Sequence, residues 1–513
     1  MSKTDEFKAH LEKGYTFKGD SIILGTGIVD HEPIPQAQIK IPLKTLNRHG
    51  MIAGATGTGK TITLQVLAEQ LSHHGIPSVM MDLKGDLSGL AQAGQMNPII
   101  EKRIGLIGID YEPTKFPVEL MSISNEKGVK LKATVSEFGP VLISQILELN
   151  DTQRGVIALV FRYCDTHHLP LLDLKDLKKV LQYVINEGKQ EIMKEFGAVS
   201  PATVNTIMRK IIELEQQGAE NFFGELSFDV NDFVQTENGK GVISIIRLTD
   251  IQNRPKLFST FMLSLLSEIY ETFPEEGDTG KPKLCLFIDE AHLVFSNASK
   301  DLIDKIEAIV KLIRSKGVGV YFCTQTPTDV PEKVLGQLGL KIQHSLRAFT
   351  AKDRTAIKKT AENYPLTDFY KTDEILTSMG IGEALVTALN EKGIPTPLAH
   401  TLLRSPESRM NILAPEEIND LVNKSSLVRK YNVEIDRKSA FEILDEKITR
   451  AEQMAAEQAA ESTTAQRRSP GRPPKETSMI EDLSKNTMVR QIGRTIFREL
   501  ARGIMGSLSG KKR

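Results

Sequence analysis

The chain has 513 residues and 57.0 kDa, which corresponds to two to four domains at about 150 residues each. Its 65 Lys+Arg and 66 Asp+Glu leave a net charge of −1, and its 40% hydrophobic and 26% charged content is that of a globular protein. A wholly disordered chain and a collagen-like one are excluded, and any basic surface for nucleic acid must be local. Three scattered cysteines, Cys164, Cys285 and Cys323, sit in apolar runs and read as buried thiols rather than a disulfide or zinc framework. The polar start lacks the apolar core of a signal peptide, and no apolar run approaches the ~18 residues of a membrane span. A reducing cytoplasm is the expected setting.

From Ser21 to Gln95 short apolar strands alternate with amphipathic helix. Gly50 to Gly54 frame a strand at Met51–Ala53. A helix follows through Leu64, Leu67 and Leu71, and Ser78–Leu83 reads as the next strand. Strand, helix and strand at this spacing predict a parallel sheet. From Val129 to Asp232 apolar residues recur at helical spacing, which predicts a helical insertion over 128–235 between two halves of a sheet domain, 19–127 and 236–405. Strand-like runs return at Gly241–Arg247, Lys283–Ile288, Val318–Thr324 and Ile342–Phe349, with helices at Phe258–Phe273 and Lys300–Ser315. Ala384–Leu389 and Leu398–Leu403 flank a Glu391-Lys392-Gly393 turn and read as a hairpin. Residues 406–461 read as a helical extension, 462–475 as a disordered basic linker, and 476–513 as a basic amphipathic segment. In that last segment Ile492, Ile496, Leu500 and Ile504 run at four-residue steps beside Arg490, Arg494, Arg498 and Arg502. From Arg467 onward there are 12 basic and 4 acidic residues, so the tail carries about +8 and the rest about −9.

Gly54-Ala55-Thr56-Gly57-Thr58-Gly59-Lys60-Thr61 fits G-x-x-x-x-G-K-[ST] in full. Glycines let backbone N–H groups turn inward around a polyphosphate, and the helix starting at Lys60 adds its positive end. Lys60 is expected to reach the β/γ-phosphates of ATP, and Thr61 to ligate Mg²⁺. The strand through Leu284–Ile288 ends in Asp289-Glu290. A strand tip in an open α/β sheet is where ligands bind. Asp289 is expected to hold Mg²⁺ and Glu290 to activate the attacking water, the arrangement of an ATP hydrolase rather than a small-molecule kinase. Gln325, after the next strand, is placed to sense the γ-phosphate or orient the water, or else is a turn residue before Pro327. Arg314 either complements a helix end or is an arginine finger donated to a neighbouring subunit, and Arg347 is a second candidate finger. Asp82 either faces the metal region or starts a turn.

Together Arg48–Thr61, Met81–Gly89, Leu286–His292, Ile313–Pro327 and Leu346–Asp353 resemble the HerA/FtsK group of P-loop motor ATPases. The specific match is the bacterial HerA-like helicase C-terminal-domain family, over about Gly19 to Arg404. The resemblance implies an α/β fold with an additional-strand P-loop sheet, and a hexameric ring that moves along duplex DNA. It assigns Gln325 as the sensor glutamine and Arg314 as the trans-acting arginine. Archaeal motors of this type carry an N-terminal β-barrel that docks a nuclease. Only about 50 residues precede the phosphate loop here, which argues against a nuclease partner and leaves the helical insertion as the docking or gripping element. DNA contact is otherwise weakly marked: Gly471-Arg472-Pro473 resembles an AT-hook without the usual preceding arginine. The rival expectations are a motor acting on a protein or membrane-associated cargo and a nucleotide-dependent scaffold.

Overall fold

The computed structural model describes residues 2–277, 279–295, 300–435 and 437–465. The AT-hook-like motif and the Arg-striped tail segment lie outside the described residues. Two compact units are present: the chain up to Leu131 with Phe228–Val433, and Lys132–Ser227 with the chain from Glu434.

The first unit is built on a twelve-stranded sheet. Its centre is parallel. In spatial order the strands are Leu340–Gln343, Gly50–Ala53, Val318–Thr324, Leu284–Ile288, Ser78–Asp82, Ile243–Arg247 and Val118–Ser122, with Val129–Lys130 at the edge. Val318–Thr324, Leu284–Ile288 and Ser78–Asp82 are buried at every residue, as continuous apolar runs require when helices cover both faces. On the other side the sheet turns antiparallel through Glu383–Thr387, Ala399–Leu403, Ser21–Val29 and Glu32–Pro42. The expected hairpin is there, with Glu383 opposite Leu402. The expected mostly parallel P-loop sheet is therefore found.

Three local readings change. The expected strand Ile342–Phe349 stops at Gln343, because the next residues turn to the phosphate loop and the Ser345 carbonyl accepts from Ala55 N at 2.9 Å. The polar N-terminus forms a helix, Lys3–Gly14, with a Ser2/Asp5 capping box; it buries only Phe7 and Leu11, too thin a stripe to read as amphipathic. The helix Lys300–Ile313 ends in a tight turn, Arg314–Lys316, closed by Gly317 at φ 73°.

The second unit is helical, with Val135–Ile146, Asp151–His167, Leu174–Ile185, Lys189–Glu195, Pro201–Gln216 and Ala440–Ala465. Asn150 and Asp173 open two of these helices with capping boxes. Gly139-Pro140 kinks the first, Gly139 lying at φ 68°. The extension drawn over 406–461 is not one element. Pro415–Lys424 and Ser426–Tyr431 belong to the sheet unit, whereas Ala440–Ala465 joins the helical unit. Buried Asp176 makes that join: its carboxylate accepts from Ser439 Oγ at 2.5 Å and Phe441 N at 2.8 Å. The helix runs to Ala465, past the expected start of a disordered linker at 462.

Candidate active site

The parallel strands all deliver their C-terminal ends to one edge, and the phosphate-loop and acidic motifs meet there. The loop leaves the strand Gly50–Ala53 with Gly54 N donating to the Thr324 carbonyl at 3.2 Å and His344 N donating to the Ala53 carbonyl at 2.7 Å. Its turn is wound through Gly57 at φ 79° and Gly59 at φ 112°, a conformation that costs other residues about 1–2 kcal/mol. A Cβ on Gly54 would lie 2.4 Å from the Cβ of His344, so the backbone floor of the loop admits no side chain. Lys60 opens the helix Lys60–His73, and its ammonium donates to the Gly54 carbonyl at 2.7 Å and the Ala55 carbonyl at 3.2 Å. Burial lowers its pKa, and Lys84 adds to that while Glu290 and Asp289 oppose it.

Asp289 and Glu290 end the strand Leu284–Ile288, next to Val318–Thr324 and one strand removed from the loop strand. Ala291 N donates to the Cys323 carbonyl at 2.8 Å and locks this corner to the neighbouring strand tip. Asp289 is 3% exposed; burial raises its pKa, and Lys84 partly offsets the rise. Glu290 adopts φ 47°, a left-handed conformation unusual for a residue with a Cβ and typical of functional sites. Thr61 and Asp289 offer hard oxygen donors, and a buried carboxylate calls for a cation, so this pair fits Mg²⁺.

Gln325 follows Val318–Thr324 directly and is exposed at the same edge. Arg347 is exposed beside the loop of its own chain, donating to the Thr56 carbonyl at 3.3 Å. Arg314 is elsewhere. It precedes the start of the seven-residue strand Val318–Thr324, which spans on the order of 20 Å at about 3.3 Å per residue. Its neighbour is His49, at the base of the loop strand. Burial pushes that imidazole down to about 4, and the Arg314 guanidinium adds to the effect. Arg314 is thus at the opposite edge from its own phosphate loop. Asp82 resolves as a turn residue: its carboxylate accepts from Gly85 N at 2.7 Å, Asp86 N at 3.2 Å and Leu87 N at 3.2 Å. Burial pushes its pKa up to about 7.

The family model for the helicase HerA-like C-terminal region matches residues 29–513. The chain belongs to this HerA-like family. It is 21% identical over 362 residues to the DNA double-strand break repair helicase HerA of Sulfolobus acidocaldarius, covering 70% of this chain and 66% of that protein. It is also 21% identical over 375 residues to the protein of that name from Saccharolobus solfataricus, covering 68% of this chain and 63% of that one. The match therefore falls short of two thirds of the length of either relative. Among solved structures, the bacterial conjugative coupling protein TrwBdeltaN70 aligns over 79% of this chain and 95% of its own, at 13% identity and a TM-score of 0.52. TrwB with ADP and Mg²⁺ aligns over 79% of this HerA-like chain and 94% of its own, at 15% identity and a TM-score of 0.50. These likenesses bear out the P-loop sheet of a HerA/FtsK-type ATPase.

Three site features were not legible as such in the sequence. Lys84 lies 2.5 Å from Glu290 Oε1. His344 places Nε2 2.9 Å from Thr63 Oγ1, and burial, reinforced by Lys60, pushes it down to about 4, so it is a neutral prop beneath the loop. A cavity of about 250 Å³ beside the first turn of the loop helix is lined mainly by apolar side chains, among them Ile62, Val66, Ile100 and Met410. Lys84 lies in the Met81–Gly89 segment, where its position along the chain implies no role; the other two features arise only where distant segments meet. Among the described residues, no helix is long and apolar enough to cross a membrane.

Proposed function

We propose that this HerA-like protein is a Mg²⁺-dependent ATP hydrolase that works as an oligomeric ring, hexameric in the family pattern, and drives movement along or unwinding of duplex DNA. The observation that carries the hydrolase reading is the meeting of Lys60, Asp289 and Glu290 at one edge of the sheet, in a fold shared with a protein solved with ADP and Mg²⁺. Backbone N–H groups of Gly54–Gly59 would surround the phosphates, and Lys60 would exchange the loop carbonyls for phosphate oxygens. Thr61 and Asp289 would hold Mg²⁺, which neutralises phosphate charge when bound. The apolar cavity adjoining Gly59 and Thr63 suits the nucleobase. Glu290 accepts a proton from the water that attacks the γ-phosphorus, and Gln325 orients that water.

The two arginines divide by position. Arg347 reaches its own loop, which supports a cis contact with phosphate; Arg314 lies too far, which supports donation to a neighbour's site. The names of the HerA relatives, DNA double-strand break repair helicases, support DNA as the track, and the distance of Arg314 from its own loop supports an assembly of subunits. The test is ATP hydrolysis with and without duplex DNA across a salt series, with Glu290→Gln as control. Stimulation by DNA that falls as salt rises, with the variant inactive, is expected. Hydrolysis indifferent to DNA would retain the ATPase and refute the track.

A further inference from the structure

Lys84 follows the strand Ser78–Asp82, which pairs with the strand bearing the acidic motif, Met81 opposite Ile288. The turn after it is built rigidly. The Asp82 carboxylate gathers three backbone N–H groups, and Gly85 takes φ 77°. Lys84 is thereby held over the neighbouring strand tip, with its ammonium 2.5 Å from Glu290 Oε1. His292 Nδ1 lies 3.2 Å from the other carboxylate oxygen. Burial opposes the Lys84 ammonium, but Asp289 and Glu290 more than offset it and hold its pKa above the ordinary lysine value. Lys84 also depresses Lys60, so two ammonium groups and two carboxylates balance one another around one space.

A carboxylate held in an ion pair with a lysine cannot turn toward a water. A γ-phosphate entering over the loop would compete with Glu290 for Lys84, whereas a nucleoside diphosphate lacks the competing group. We propose that Lys84 is a latch gated by the γ-phosphate: it pairs with Glu290 when no triphosphate is bound, and shifts to the γ-phosphate of a nucleoside triphosphate, releasing Glu290 to accept the proton of water. The proposal rests on the ATP-hydrolase reading above. It makes Lys84 a sensor of the triphosphate and keeps the base idle in the absence of fuel.

The test is binding, not turnover. Affinities for a non-hydrolysable ATP analogue and for ADP, each with Mg²⁺, are measured by displacement of a fluorescent nucleotide. The proteins are the wild type, Glu290→Gln, Lys84→Met, Lys84→Arg and the combined Lys84→Met/Glu290→Gln. Glu290→Gln should tighten the triphosphate about tenfold by freeing Lys84, and Lys84→Met should weaken it by a similar factor. ADP affinity should move less than about twofold in each, and in the combined variant Glu290→Gln should no longer tighten the triphosphate. Lys84→Arg, which keeps the charge, should preserve the preference for triphosphate over diphosphate. Equal tightening by Glu290→Gln with and without Lys84 would overturn the latch while leaving the hydrolase intact, as would parallel changes in ADP affinity. Absence of nucleotide binding by the wild type, or binding unchanged by Lys60→Ala, would overturn the hydrolase reading and the latch together.

Discussion

Arg314 offers the sharpest test of the assembly. The residue sits before the strand Val318–Thr324, whose far end abuts the phosphate loop through the Thr324 carbonyl. Seven residues of strand separate them by on the order of 20 Å, about three times the reach of an arginine side chain. Arg314 can therefore act on a phosphate only in a neighbouring subunit. Loss of such a finger lowers the rate by about 10³–10⁵, or roughly 4–7 kcal/mol of transition-state stabilisation. Arg314→Ala and Lys60→Ala alone should each be nearly inactive. Mixed in equal amounts and allowed to exchange subunits, they should recover activity. In a head-to-tail ring about one interface in four then joins an intact loop to an intact arginine, so about a quarter of wild-type turnover per subunit is the ceiling. The assay is steady-state ATP hydrolysis across mixing ratios, with mixed rings verified by differential tagging. Mixed rings without recovery would refute the reasoning, and so would a loss under tenfold for Arg314→Ala.

Other outcomes follow from single contacts. Gly54→Ala should weaken nucleotide binding at least about tenfold and cost about 1–3 kcal/mol in chemical denaturation, because its Cβ would meet the His344 Cβ at 2.4 Å; His344→Gly in the same chain should recover part of the loss. Leu67→Ala, at a residue 1% exposed on the loop helix, should cost about 2–5 kcal/mol in the same measurement. Glu69 is fully buried against Glu407 N and Ser408 N, and burial pushes its carboxyl up to about 7 from 4.5. A raised carboxyl stabilises the fold below pH 4.5, and that contribution is lost as pH climbs toward 7, where the buried group must ionise. Relative to Glu69→Gln, wild-type stability should therefore fall across that window by on the order of 3 kcal/mol and level off above it. A flat difference between the two proteins from pH 4.5 to 8 would show that Glu69 does not titrate this way.

Much of the ATPase core is written in local sequence. Continuous apolar runs at Leu284–Ile288 and Val318–Thr324 specify strands buried on both faces. Gly54–Thr61 specifies a backbone that only glycine adopts cheaply, and it forms the expected loop. Such features depend on neighbours a few residues away. The N-terminal helix is not legible in the sequence because only Phe7 and Leu11 are buried along it. The strand at Leu340–Gln343 is shorter than its apolar run because Ser345 is taken up by the loop, which apolarity alone does not reveal. Helix Ala440–Ala465 reads as a separate extension in the sequence because its link to Asp176 spans more than 260 residues of chain.

What the sequence determined by itself is the chemistry: which side chains could hold a polyphosphate, which carboxylates end a strand, and that a parallel sheet displays them. The tertiary structure alone decided which groups share a space. It set Lys84 against Glu290, put His344 under the loop, and opened an apolar cavity beside it. It also moved Arg314 to the far edge and kept Arg347 near. The physical reason is the order of the strands. Successive segments of chain are inserted between others in the sheet, so the distances that govern electrostatics and catalysis are fixed by pairing across hundreds of residues rather than by spacing along the chain.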